Sequence, residues 1–150
     1  MKEFNKDIIF ESFNVDAIER KEKELFGQKR NEPGFLMRFI CKGLVNYTIL
    51  DVVYRHKYGE KYMRVRDRLK YKLYNSFYCY LLRIPVDKIN RNLNTSIITN
   101  PKKEDDTVPV YNALETLLKF FEGLEQYERC TFIKHYIDKL ENNSIKELVN

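Results

Sequence analysis

The sequence predicts an all-α protein, a single-domain helical bundle of five to seven helices over residues 1–150. Three observations carry this prediction. Apolar residues recur every three or four positions through most of the chain, which is the spacing of one face of an α-helix. Capping residues, prolines and glycines stand where these patterns begin and end. No convincing strand pattern of alternating apolar and polar residues is found.

The N-terminal part predicts one peripheral helix. Residues 1–13 (MKEFNKDIIFESF) hold apolar side chains without a clear period, and we interpret them as a short helix or an N-terminal arm. Asp16 and Glu19 have the spacing of a capping box, which predicts a strongly charged surface helix that runs to Gly27.

A long core helix follows over about residues 33–57. Asn31 can cap it, and Pro33 suits its first turn. Gly43 lies in its middle and costs about 1 kcal/mol relative to Ala, so we expect that it lets a neighbouring helix approach closely. At the other end, Gly59 predicts a turn before the next helix.

The C-terminal half predicts a helical hairpin and a long loop. A short amphipathic helix is expected from Val86 to about Leu93, and residues 94–108 form a loop within one domain. One helix then ends at Gly123, a second covers about residues 125–141, and the two form a hairpin. A capping-box pattern at Ser144 predicts a last short helix.

The positive charge of the chain is concentrated in one segment, residues 54–84. It holds nine Lys or Arg residues and two acids, a net charge of +7, whereas the whole chain carries only +5. Its apolar residues form one helical stripe, which we expect to face the core: Tyr58, Tyr62, Val65, Leu69, Leu73, Phe77 and Tyr80. Arg66 and Lys70 flank this stripe, and their methylene groups can cover it. The half after Leu73 is apolar on most sides and should be deeply buried.

Five cations of this segment are spaced by four, three, four and four residues. On a helix they form one narrow row on the side away from the apolar stripe. Such a row is typical of proteins that follow a phosphate backbone, and Tyr71 beside it is a candidate stacking residue. We therefore predict a nucleic-acid or partner-binding site made of Lys57, Lys61, Arg64, Arg68, Lys72 and Tyr71.

Two other interpretations of the row stay open. Charged helix faces are often only solvated surface. The row can also dock on an acidic protein surface, as expected of a protein–protein interaction module such as a phage or viral accessory factor or an immunity-type inhibitor. A homodimer paired through the tyrosine-rich helix at residues 71–80 is a further possibility.

Composition favours an intracellular, cytoplasmic protein. Cys41, Cys79 and Cys130 are odd in number, widely spaced and set among apolar residues, so we interpret them as reduced core residues. No run approaches the roughly 18 apolar residues that a membrane helix needs, and we predict no membrane association.

No known catalytic or metal-binding motif is present, and we predict a binding protein rather than an enzyme. The sequence lacks CxxC and HxxxH pairs and phosphate-binding glycine loops, which favours neither a metal nor a cofactor. Cys130 and His135, five residues apart on one helix, point about 140° away from each other and do not form a nucleophile–base pair.

One short motif suggests an alternative. Arg129, Cys130 and the next residues up to His135 (RCTFIKH) are similar to the arginine-to-histidine spacing of HEPN ribonucleases, which are small helical domains. That resemblance implies RNA cleavage by Arg129 and His135. The opposing interpretation is a surface arginine paired with Glu122 or Glu125, because a six-residue helical step turns by roughly 240°.

Two segments resemble bacterial sigma factors. Residues 59–93 contain GEKY, a basic aromatic helix and RIPV in that order, similar to the end of region 2 and the start of region 3. Residues 117–148 are similar to the beginning of region 4. The acidic polymerase-clamp pattern expected near residues 36–50 is not found. The resemblance implies a transcription-associated accessory role.

Overall fold

The structure, a computed structural model, describes residues 4–5, 20, 33–88 and 110–149. These residues contain four α-helices and one turn of 3-10 helix, and the all-α prediction is confirmed. The α-helices are α1 (Pro33–Tyr58), α2 (Glu60–Leu82), α3 (Val110–Gly123) and α4 (Tyr127–Val149), and the 3-10 turn is Val86–Lys88. The described part thus has four α-helices, fewer than the five to seven predicted for the chain.

One reason for the lower number is that α4 continues past Ser144. The separate helix predicted from the capping-box pattern is wrong, because neither proline nor glycine interrupts residues 127–149 and the pattern alone does not stop a helix. Three predicted segments lie outside the described residues, apart from residues 4, 5 and 20: the arm at 1–13, the helix expected to end at Gly27 and the loop at 94–108.

Helices α1 and α2 form an antiparallel hairpin joined by one residue, Gly59. Its φ of 57° and ψ of −130° are readily available only to glycine. The Gly59 N–H donates to the Arg55 carbonyl at 3.0 Å, and the Met63 N–H donates to the Gly59 carbonyl at 3.1 Å. The turn predicted at this glycine is confirmed.

The hairpin is closely packed where Gly43 of α1 faces Phe77 of α2. A Cβ atom at Gly43 would lie 2.7 Å from Cε1 of the Phe77 ring, closer than carbon atoms can approach. The ring therefore occupies the space that a side chain would need. The prediction that Gly43 admits a neighbouring helix is confirmed.

Helices α3 and α4 form the predicted second hairpin. The Gln126 N–H donates to the Phe121 carbonyl and the Glu125 N–H to the Glu122 carbonyl, both at 3.0 Å. This pair of bonds is a Schellman motif. Gly123 is the last residue of α3, as predicted, but the left-handed position is occupied by Glu125, with a φ of 58°.

The buried side chains of the four helices form one core cluster. It includes much of the tyrosine-rich half of α2, where Tyr74, Phe77 and Tyr80 are buried. The hydroxyl of Tyr136 on α4 donates to the Ile84 carbonyl at 3.0 Å, which ties α4 to the residues that follow α2. Pairing of two copies through Tyr74 and Tyr80 would require these rings to leave the core.

Candidate nucleic-acid interface

Four of the five predicted cations lie on α2 and are exposed. They are Lys61, Arg64, Arg68 and Lys72, and we call them the basic row. Helical geometry places them within about 80° of one another around the helix. The buried residues of α2 point to the opposite side.

The fifth cation, Lys57, is exposed but belongs to the last turn of α1. The expectation of five cations on one continuous helix is therefore wrong, because Gly59 reverses the chain between Lys57 and Lys61. The Lys57 ammonium lies 5.3 Å from the ring centroid of Tyr58. Lys57 thus stands at the tip of the hairpin, one turn away from the start of the basic row.

Three members of the basic row have no ion-pair partner within the described parts of the chain. Lys61, Arg64 and Arg68 have no carboxylate oxygen within 4.0 Å. Asp67 is next to them in sequence, but its contact is with Arg66, at 3.9 Å. No carboxylate of the described residues therefore competes with an external anion for these cations.

Two other cations of the segment are hydrogen-bonded to Asp51, a residue that the sequence did not single out. The Asp51 carboxylate is only 6% exposed. It accepts hydrogen bonds from Arg66 at 2.7 and 3.1 Å, from the Tyr62 hydroxyl at 2.8 Å and from Arg55 at 3.0 Å. Arg66 is therefore part of the fold, whereas the side chain of Arg55 is paired with Asp51 but stays 50% exposed.

The charge state of Asp51 follows from these contacts. Burial by itself acts to raise the pKa of the carboxyl, but the hydrogen bonds from Arg66 and Tyr62 outweigh burial and lower it below the ordinary value of 3.8. Burial and the Asp51 carboxylate raise the pKa of Tyr62, so the phenol stays protonated. The hydrogen bonds that Arg66 and Tyr62 donate to Asp51 hold α2 against α1.

Lys70 is also held by the fold. Its ammonium lies 5.4 Å from the ring centroid of Tyr74, 5.5 Å from that of Phe120 and 6.0 Å from that of Tyr47. Cation–π attraction to these rings fixes the side chain on the face between α2 and α3. This side chain, like that of Arg66, lies over the apolar face as expected.

Tyr71 flanks the basic row, three residues after Arg68. It is 40% exposed, and its ring lies 6.5 Å from that of Phe120 on α3. Tyr71 is thus in contact with a second aromatic ring and remains partly open to solvent. Tyr78, one of the other tyrosines on this part of α2, is half-buried.

A cation from α4 reaches the C-terminal end of the row. Arg129 donates from Nη1 to Oδ1 of Asn75, which lies one helical turn beyond Lys72. The guanidinium stacks over the rings of Tyr78, at 4.6 Å, and Phe121, at 5.0 Å. Only the tertiary fold brings Arg129 here, so sequence spacing along α2 gave no sign of it.

The HEPN-like pair is not brought together. Arg129 is held by Asn75 and its aromatic neighbours, whereas His135 is exposed and lies six residues further along the same helix, α4. The predicted pairing of Arg129 with Glu122 or Glu125 is also wrong, since Glu122 pairs instead with Lys134 at 3.5 Å. Among the described residues, no group of three or more His, Cys, Asp or Glu is arranged to hold a metal ion.

The cysteines differ from one another in exposure. Cys41 and Cys130 are buried, as expected, but Cys79 is an exposed free thiol. Cys79 is seven residues after Lys72, so it lies on the same outer face of α2 as the basic row. The prediction that the second half of α2 is buried on most sides is wrong for this face, where Leu82 is 52% exposed.

An apolar patch lies on α1. Ile49 and Val52 are each 56% exposed and Val53 is 47% exposed, and their spacing places them on one face of the helix. None of the helices in the described ranges combines the length and hydropathy that a bilayer span requires.

Comparison of the chain with protein-family models, with curated proteins and with solved structures finds no match.

Proposed function

We propose that this protein is a non-enzymatic nucleic-acid-binding factor and that the basic row binds phosphates. The supporting observation is that some cations of residues 54–84 are paired with a carboxylate and others are not. Arg55 and Arg66 are paired with the Asp51 carboxylate, whereas Lys61, Arg64 and Arg68 are exposed and have no carboxylate partner among the described residues. A fold that needed these cations only for packing would pair or cover them.

The spacing of the row suits a phosphate backbone. Lys61 and Lys72 are eleven residues apart on α2, about 16 Å along the helix axis. Four cations over this distance release condensed counterions when they meet phosphates, and this release drives binding. Regularly spaced charges without polar base-reading side chains favour affinity over sequence specificity.

The proposal is tested by charge reversal. For wild type, we expect the association constant for a short nucleic acid to fall about 100-fold between about 50 and about 200 mM salt. The double variant R64E/R68E should bind at least about tenfold more weakly at low salt, and its salt slope should decrease by about two. Fluorescence anisotropy with a labelled oligonucleotide measures both quantities.

A matched control is K119E/K139E, which changes the net charge equally but at exposed lysines of α3 and α4. It should bind nearly as well as wild type. If both double variants bound nucleic acid equally weakly, the loss would be explained by net charge and not by the basic row. Wild-type protein that does not bind, or R64E/R68E that binds equally well, would refute the proposal.

A transcription-associated accessory role is the more specific form of this proposal. It rests on the resemblance of residues 59–93 and 117–148 to sigma-factor regions. A reducing, cytoplasmic location accords with the free thiols of Cys79 and Cys130.

A second candidate function is a protein–protein interaction module, which the apolar patch of α1 favours. Soluble monomers rarely expose large contiguous apolar surfaces without using them. The first partner to test is a second copy of this chain. Light scattering across a concentration series should show a dimer that I49K/V52K converts to a monomer, whereas a wild type that stays monomeric throughout would exclude the homodimer.

A further inference from the structure

The surroundings of the basic row indicate which form of nucleic acid it would take. Helix α2 is packed against α1 on one side, and Tyr71 and Asn75 contact α3 and α4 on another. It is therefore a ridge on the surface of the bundle and not a protruding helix. A helix that enters the major groove of a duplex, about 12 Å wide, has a groove wall on each side.

The two sides of the ridge do not match the phosphate-lined walls of a major groove. The cations lie along the crest, and one flank carries the exposed acids Glu60 and Asp67, whose carboxylates would face phosphates of a groove wall. The phosphates of a duplex strand also follow a fixed curve around the duplex axis. A single strand has no such constraint and can follow a straight line of cations.

Tyr71 supplies what a single strand needs in addition to charge. Its partly exposed ring lies beside Arg68 and Lys72 and contacts Phe120. Stacking on exposed aromatic side chains is the common means by which proteins hold single strands without reading their sequence. Bases inside an intact duplex are stacked on one another and cannot use such a ring.

Arg129 extends the positive track beyond Lys72. Asn75 and the rings of Tyr78 and Phe121 hold its guanidinium in a fixed position. Because little side-chain freedom is left to lose, an anion that reaches this end of the ridge would be bound at low entropic cost.

From these contacts we infer that the ridge binds single-stranded nucleic acid, with phosphates along Lys61, Arg64, Arg68 and Lys72 and one base stacked on Tyr71. This inference rests on the proposed phosphate-binding function and adds the form of the ligand. It requires that the aromatic ring of Tyr71, rather than its hydroxyl, makes the contact.

The experiment compares a labelled 12-nucleotide oligothymidine strand with a hairpin duplex of equal phosphate number. For wild type, we expect the single strand to bind at least about tenfold more tightly than the duplex. Tyr71→Ala should lower this ratio of affinities about tenfold, the loss of one stacked base, whereas Tyr71→Phe should preserve it. Thermal melting followed by circular dichroism verifies that both variants are folded.

The outcomes separate the two proposals. If the duplex binds as tightly as the single strand, or if Tyr71→Ala leaves the ratio unchanged in a folded protein, single-strand recognition is refuted while phosphate binding stands. If neither ligand binds, the proposed function fails, and this inference fails with it.

Discussion

Arg66 of α2 meets the Asp51 carboxylate of α1 with two parallel hydrogen bonds, from Nε at 2.7 Å and from Nη2 at 3.1 Å. The two residues are fifteen positions apart, on opposite sides of the Gly59 turn. A bidentate pair of this kind fixes both the distance and the orientation of the helices that carry it. Since the carboxylate is almost fully covered, the pair is a structural element of the hairpin rather than a surface ion pair.

Replacing Asp51 should therefore destabilise the protein strongly. We expect Asp51→Ala to lower the free energy of unfolding by about 3 kcal/mol, because Arg66 and the Tyr62 hydroxyl lose their partner in a buried site. Urea unfolding followed by circular dichroism measures the difference. Asp67→Asn is the control, since the carboxylate of Asp67 is 95% exposed and should contribute less than about 0.5 kcal/mol. Similar losses in the two variants would contradict the assignment.

Stability should depend on pH through the same carboxylate. The pKa of Asp51 is lower in the folded protein than its ordinary value of 3.8, so the unfolded chain takes up the proton first as pH falls. The stabilisation from Asp51 is then complete above about pH 5 and is lost as pH falls through 3.8 towards the folded pKa. The difference in unfolding free energy between wild type and Asp51→Asn, measured from pH 7 to pH 3, should shrink over that range. A difference that grows on acidification would have the wrong sign.

Adding a methyl group at Gly43 should disturb the hairpin. Gly43→Ala gains up to about 1 kcal/mol of helix propensity, but its Cβ overlaps the Phe77 ring, and we expect a net loss of about 1–3 kcal/mol. The companion change Phe77→Leu should make Gly43→Ala less costly than it is in wild type, because the methyl group then has room. Gly123→Ala is the control, since no atom lies within 4 Å of the added carbon. Thermal melting of wild type, Gly43→Ala, Phe77→Leu and the double variant completes the double-mutant cycle.

The left-handed position at Glu125 offers a stabilising change. We expect Glu125→Gly to raise the free energy of unfolding by about 0.5–1 kcal/mol, because glycine adopts a φ of 58° without steric cost. Glu125→Ala removes the same side chain but keeps a Cβ, so it should give no gain. Chemical unfolding of the two variants distinguishes the removal of steric strain at a positive φ from the loss of the carboxylate charge. An equal gain in both would attribute the effect to the charge.

The two residues of the HEPN-like motif should behave differently from a catalytic pair. Arg129→Ala should cost about 1–2 kcal/mol of unfolding free energy, since the guanidinium bonds Asn75 and packs on two rings. His135→Ala, at an exposed position, should change stability by less than about 0.5 kcal/mol. RNA incubated with wild type and with His135→Ala should remain equally intact. Cleavage by wild type that disappears in His135→Ala would establish the nuclease instead.

Local sequence signals predicted the helices well where a special residue marks them. Pro33 and Gly59 bound α1 as expected, and Gly43 is packed against a neighbouring helix as expected. Ser144 misled the prediction because a capping pattern has no effect where the helix on its N-terminal side does not end.

The candidate site was only partly visible in the sequence. The exposure of the basic row can be predicted from its helical spacing, but the pairing of Arg55 and Arg66 with Asp51 cannot. Asp51 is four residues after Tyr47 and three before Tyr54, so its spacing placed it on the inward side of α1, yet its charge suggested solvent. The contacts of Arg129 with Asn75 join residues 54 positions apart, and no local pattern indicates such a contact.

The single-residue connection at Gly59 couples the interior of the protein to its outer charge. An extra residue there that continued the helical geometry of α2 without a longer turn would rotate α2 by about 100° about its own axis. The Phe77 ring would leave the space beside Gly43, and Arg66 would lose its contact with Asp51. The same rotation would carry the lysines and arginines of the ridge off the solvent side, so the electrostatic surface and the core would be lost together.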